Sequence, residues 1–199
     1  MSHFNHHPTG LAVVLLLTLT GCNSNSDTER QAATAVAEAR ALRDASDEKV
    51  VGGQRLYAVH CAACHGDDRG GAPEWWVRDT DGRFGPPALN GSAHSWHHPP
   101  WQLRDMIRHG SAVGLVGTES LRSAMPAFGV EHGGPLTDSD VDALIAYIVD
   151  GWPEAVFDAW LDDVRRDPTE SAWSERTGQH WLISAELLER NGVASVMAD

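Results

Sequence analysis

The chain has 199 residues, enough for one core of ordinary size with appendages. Its 42% apolar and 22% charged residues exclude a disordered chain, a collagen and a polytopic membrane protein. A formal net charge of -13 argues against nucleic acid as a partner, since phosphate backbones are bound by clustered Lys and Arg, and it points to basic protein surfaces; three cysteines are too few for a disulfide scaffold.

In chain order, the first element is an address rather than a piece of fold. The apolar stretch between Gly10 and Thr20 is too short to span a bilayer as a mature helix and has the length of a signal-peptide core, which predicts a signal peptide over residues 1–21. Its n-region holds His3, His6 and His7 but no Lys or Arg. Leu19-Thr20-Gly21-Cys22 resembles the lipobox of bacterial lipoproteins, which implies lipid attachment at Cys22 and Cys22 as the mature N-terminus. The competing reading is an ordinary secretory signal with a chance cysteine. Several acyl chains anchor a protein stably where one binds only marginally. The protein is therefore expected in the cell envelope, membrane-anchored and facing the periplasm, and Asn23 after the cysteine inclines the placement toward the outer rather than the inner membrane.

Residues 22–49 begin Cys-Asn-Ser-Asn-Ser and continue as an Ala-rich, mixed-charge run almost without large apolar residues, which predicts a flexible tether, partly helical at best. Over residues 50–153 the composition changes to Gly, Pro, Trp and periodic apolar positions, and this is the expected folded unit. Residues 154–199 hold two amphipathic candidates, one with Val156, Phe157, Trp160, Leu161 and Val164 on a helical face and one with Trp181, Leu182, Ala185 and Leu188. With ten Asp or Glu against four Arg, this stretch reads as an acidic C-terminal extension packed on the domain.

Cys61-Ala62-Ala63-Cys64-His65 is a C-x-x-C-H, the attachment sequence of c-type haem. Two thiols three positions apart on one helical turn can each form a thioether to a vinyl group of one porphyrin, and the next residue directs an imidazole at the iron. A C-x-x-C redox disulfide calls for a thioredoxin-like βαβ context, and a zinc site calls for a second ligand pair; neither pattern is present in the sequence.

Further residues extend the pattern. Gly53, Tyr57 and Cys61 fall at i, i+4 and i+8 on one helical face, and Thr137-Asp138-Ser139-Asp140 starts a second helix that runs through Val141, Leu144, Ile145, Tyr147 and Ile148, with Thr137 as N-cap and Asp140 completing a capping box. On these residues the chain resembles a class I, mitochondrial-type cytochrome c carried by a bacterial lipoprotein. The resemblance implies an all-α cytochrome c fold of roughly three to five helices around one covalent haem c. It also implies a helix crossing at Gly53 and Tyr57 against Leu144 and Tyr147. Met125-Pro126-Ala127-Phe128-Gly129, 60 residues after His65, resembles the family's axial-methionine loop. His65 and Met125 are thereby implied as the iron ligands, a soft thioether raising the reduction potential relative to two histidines. Pro87-Ala88-Leu89 resembles the P-x-L whose proline carbonyl accepts the proximal histidine's Nδ1 hydrogen, although Pro86 stands where the family often has glycine. Met106, in the amphipathic run Trp101–Arg108, reads as core filler.

Two features lie outside the resemblance. Trp75-Trp76 is either a lid on the haem or an exposed docking patch, and His94-Ser95-Trp96-His97-His98 either binds copper or zinc or surrounds the haem propionates with Trp96 as donor. The expected function is that of a mono-haem electron carrier, not an enzyme, passing single electrons between periplasmic or membrane redox proteins, with a subunit role in an oxidoreductase complex left open. The alternatives are a haem enzyme or gas sensor with a displaceable sixth ligand and a distal group among His94, His97, His98, His109 and His132, or a copper-handling module built on the His94–His98 loop.

Overall fold

The computed structural model describes residues 24–111 and 124–168. The signal segment, Cys22 and the amphipathic candidate around Trp181–Leu188 lie outside the described residues. Among the described residues six α-helices follow in order: α1 Ser24–Arg43, α2 Asp47–His60, α3 Ala62–His65, α4 Pro100–His109, α5 Asp138–Asp150 and α6 Glu154–Arg166. Two 3₁₀ turns, Ser95–His97 and Val130–His132, interrupt the loops. Among the described residues there is no strand, only a single bridge between Gly129 and Leu136.

Helix α5 is the centre of the core. Its Val141, Leu144, Ile145, Ala146, Ile148 and Val149 are all buried. It starts as expected: the Thr137 hydroxyl accepts from the Asp140 amide at 3.3 Å, and the Thr137 amide donates to the Asp140 carboxylate at 2.9 Å. The Thr137 hydroxyl also donates to that carboxylate at 2.6 Å, and this bond with the one from the Thr137 amide holds the Asp140 carboxyl below the usual carboxylate range.

Helix α2 crosses α5 at Gly53. A Cβ at Gly53 would strike the Ala143 carbonyl and come within 2.9 Å of the Tyr147 Cβ. One turn on, the Tyr57 and Tyr147 rings meet with centroids 5.4 Å apart, and Tyr57 donates its hydroxyl to the Gly66 carbonyl at 2.7 Å. The neighbouring Gly52 has nothing within 4 Å of its would-be Cβ. The pair makes a controlled test. Gly52→Ala should stabilise the protein by about 0.5–1 kcal/mol through lower unfolded-state entropy. Gly53→Ala should destabilise it by about 1–3 kcal/mol or more, because the obstacle is backbone. Denaturant midpoints of the two variants check the difference in sign.

The segment expected to be a tether is instead a 20-residue helix, α1. Ala32, Ala35, Ala39 and Leu42, at spacings of 3, 4 and 3, form one buried stripe. Small side chains remove little area each, but they let the helix lie close against its neighbours, here α5 and α6. Arg43 clamps its end, donating to the Val149 carbonyl at 2.6 Å and the Trp152 carbonyl at 3.0 Å and pairing with Glu154 at 2.9 Å.

Helix α6 buries the predicted face, Val156, Phe157, Trp160, Leu161 and Val164. It belongs to the same core as α5 rather than lying over it as an appendage. The indole of Trp160 donates to the His98 carbonyl at 2.7 Å, and Trp152, just before α6, donates to the Leu89 carbonyl at 2.9 Å. No helix among the described residues is long and apolar enough to cross a membrane.

Candidate functional site

Cys61 is the hinge between two helices. Its amide donates back to the Tyr57 carbonyl, closing α2, while its carbonyl accepts from the amides of Cys64 at 3.1 Å and His65 at 2.9 Å, opening the single turn of α3. Gly66 ends that turn at φ +79°, a conformation L side chains rarely adopt. Both thiols and the imidazole therefore stand on one helical turn. Cys61 is half-buried and Cys64 exposed, and neither is in a disulfide. Burial, with Cys64 beside it, pushes the Cys61 thiol up to about 11. A redox-active C-x-x-C depends on a lowered thiol pKa, so the shift runs against that reading.

The loop after α3 folds back to bring Pro87 to His65. The Gly71 amide donates to the His65 carbonyl at 2.8 Å, Ala72 to the Pro86 carbonyl at 2.9 Å, and Leu89 to the Arg69 carbonyl at 2.7 Å. Gly71 has φ +75°, and a Cβ there would collide with the backbone of Pro87 and Ala88. The His65 Nδ1 lies 2.8 Å from the Pro87 carbonyl. A carbonyl only accepts, so Nδ1 carries the hydrogen and Nε2 keeps its lone pair for a metal. Burial lowers the His65 pKa, and the Pro87 bond offsets part of that shift. The net shift favours the neutral ligand form. Pro86, with its carbonyl on Ala72, does not compete for His65.

Met125 is set by the end of α4. The Ser111 amide donates to the Met125 carbonyl at 3.1 Å, and Gly110, at φ +64°, passes so close that a Cβ would strike Met125, Pro126 and Ala127 backbone atoms. The following residues run along the last turn of α4: the Phe128 amide donates to the Ile107 carbonyl at 3.1 Å and the Gly129 amide to the Arg108 carbonyl at 3.0 Å. The ring of Phe128 reaches that of His60, adjacent to Cys61, at 6.1 Å between centroids. Leu89 and Phe128 pack on the core cluster, as do Cys61 and Ala62.

The remaining motifs are placed as follows. Trp75 is buried, with Trp76 edge-on at 5.8 Å and half-buried, so the tandem is not an exposed patch; Trp75 stacks on His94 at 5.2 Å. The histidines of the His94–His98 loop have separate engagements. His97 Nδ1 is 2.7 Å from Asp163, and His98 Nδ1 is 3.2 Å from the Gln102 side chain. Burial, with His98 and His97 nearby, holds His94 well below the ordinary histidine range. Burial would raise Asp163, yet the bond to His97, that residue's charge and Arg166 together hold its carboxyl low. Among the described residues the group whose ligand atoms converge within 4.8 Å is not this loop but His109, Glu131 and His132. In the His94–His98 loop, the bond to Asp163 turns His97 toward α6. Met106 is half-buried on α4.

These residues fit a covalently held haem. Two free thiols share one turn with an imidazole whose Nε2 is available. Two buried donors, Arg69 Nε and Trp96 Nε1, find no acceptor among the described residues, and the carboxylates of a haem are acceptors. An all-α domain with a C-x-x-C-H turn of this kind is a class I c-type cytochrome, a protein that binds haem c and transfers electrons with it. The family model described as cytochrome c oxidase, cbb3-type, subunit III, matches residues 48–148, just over half of the chain, and the chain belongs to that family. Curated proteins and solved structures yield no match.

Proposed function

We propose that the protein is a mono-haem electron carrier in which Cys61 and Cys64 form the two thioethers and His65 and Met125 are the axial ligands. The observation that carries this reading is the His65–Pro87 hydrogen bond, which fixes the tautomer and aim of an imidazole standing beside both thiols. When bound, the haem supplies one-electron iron chemistry with little change of geometry. The chain's own residues do the rest. Pro87 orients His65 and strengthens it as a donor; the Ser111 and Gly110 contacts fix the backbone of Met125; Arg69 Nε and Trp96 Nε1 offer hydrogens to the haem carboxylates. The spectrum of the ferric protein tests the assignment: a methionine-to-iron charge-transfer band and no CO binding after reduction are expected, and rapid CO binding would favour a haem enzyme or gas sensor instead.

The partners in this reading are redox proteins with basic docking surfaces, which a chain of net charge -13 attracts over distances of about a Debye length. The description of the matched family fits a carrier that serves, or is built into, a membrane oxidoreductase complex. Location in the envelope by a lipid on Cys22 is part of the same proposal and rests on the Leu19–Cys22 motif. Cys22→Ser should release a soluble form or leave an uncleaved precursor, as judged by cell fractionation. Mature wild-type protein found soluble and without lipid by mass spectrometry would overturn the anchor.

A further inference from the structure

The last turn of α4 and the 3₁₀ turn Val130–His132 are held together by backbone. The Gly129 amide on Arg108 and the Phe128 amide on Ile107 lay the segment after Met125 along the end of the helix. Two imidazoles 23 positions apart in sequence are thereby brought into contact. His109 Nδ1 and His132 Nε2 are 2.7 Å apart, with ring planes at 83°. A carboxylate oxygen of Glu131 lies 3.8 Å from His109 Nδ1, and Asp105 lies 3.8 Å from His109 Nε2.

From this juxtaposition we infer a second metal site on the protein, formed by His109, His132 and Glu131 and taking Zn²⁺ or Cu²⁺. Two imidazole nitrogens and one carboxylate oxygen are the donor set of borderline divalent ions rather than of Ca²⁺ or Mg²⁺. With ligand bonds of about 2.0–2.2 Å, a tetrahedral ion holds its donors about 3.3 Å apart. The two histidine nitrogens need to open by roughly half an ångström and the carboxylate to close by as much, movements within reach of side-chain torsions at a surface. The fourth position falls to water. Arg108, which pairs with Glu131 at 2.8 Å and with Asp138 at 3.3 Å, steadies the carboxylate but also weakens its pull on a cation. The imidazoles therefore contribute most of the affinity. The ion would cross-link the end of α4 to the segment that carries Met125, on top of the backbone bonds already there. Formation of the site does not depend on Met125 being an iron ligand, so the site and the axial assignment fail separately.

Calorimetric titration of the full-length holoprotein with Zn²⁺ is the direct test. One ion per chain is expected. His109→Gln and His132→Gln should each weaken binding by at least about the tenfold that loss of even an outer-shell partner of a metal produces. Glu131→Gln should weaken it by a smaller factor. The haem spectra of the variants should match wild type, since none of the three side chains belongs to the proposed haem site. Zn²⁺ should raise the melting temperature of the wild type and not that of the His109→Gln/His132→Gln double variant. No binding by the wild type, or full binding by the double variant through histidines elsewhere, would overturn the site. Unchanged affinity in Glu131→Gln would overturn the three-ligand set.

Discussion

Serine at both Cys61 and Cys64 is expected to leave the protein without covalent haem, and a single replacement to leave it with one thioether at most. The two thiols project from one turn whose first residue also closes α2, so the attachment chemistry and the helix geometry share the same three residues. A haem-stained denaturing gel reads the result, and staining of normal intensity in the double variant would remove the assignment. The loss extends to stability. Cys61 and Ala62 pack on the main core cluster, and a haem held there adds volume that the polypeptide does not replace. Replacement of His65 should therefore damage folding as much as chemistry, since under the proposed ligation it removes a metal–ligand bond that is also folding free energy. Far-UV circular dichroism of a His65→Ala variant, with lower helix content and a lower melting temperature, checks this.

The second large effect is expected at Met125. If Met125 is the proposed axial ligand, alanine there removes a soft thioether that favours Fe(II), so the reduction potential should fall, on the order of 100–200 mV out of the roughly 0.8 V range that axial ligands span. The reduced variant should bind CO where the wild type does not. Met125→His should keep the iron low-spin while also lowering the potential, which separates the identity of the ligand from its mere presence. The backbone of Met125 is fixed through Ser111 and Gly110 and does not depend on its side chain, so the loop should keep its course in either variant. A wild type that binds CO rapidly, together with an unchanged potential in Met125→Ala, would give the sixth position to another residue.

Much of this was legible in one dimension because it is local. The C-x-x-C-H turn, the N-cap at Thr137 with Asp140 and the face carrying Val156, Phe157, Trp160, Leu161 and Val164 all depend on residues three or four positions apart, which the period of a helix makes neighbours wherever the helix goes. Gly53 was legible for a different reason: its place on one face with Tyr57 and Cys61 resembles the helix crossing of class I cytochromes c, and the Ala143 carbonyl packs against it there.

The rest was decided only when distant segments met. Residues 24–43 look too poor in large side chains to hold a core position, yet Ala32, Ala35, Ala39 and Leu42 become buried because α5 and α6 offer a surface on which small residues fit closely. A side chain's burial depends on what lies opposite, and composition carries no record of that. The histidines show the same limit. His94, His97 and His98 are crowded in sequence, but Asp163 and Gln102 engage two of them and Trp75 the third. His109 and His132 are far apart in sequence and end 2.7 Å apart, because two backbone hydrogen bonds lay one segment along the other. Ligand distance is a property of tertiary contact, and for this chain only the attachment turn is short enough for sequence spacing to stand in for it.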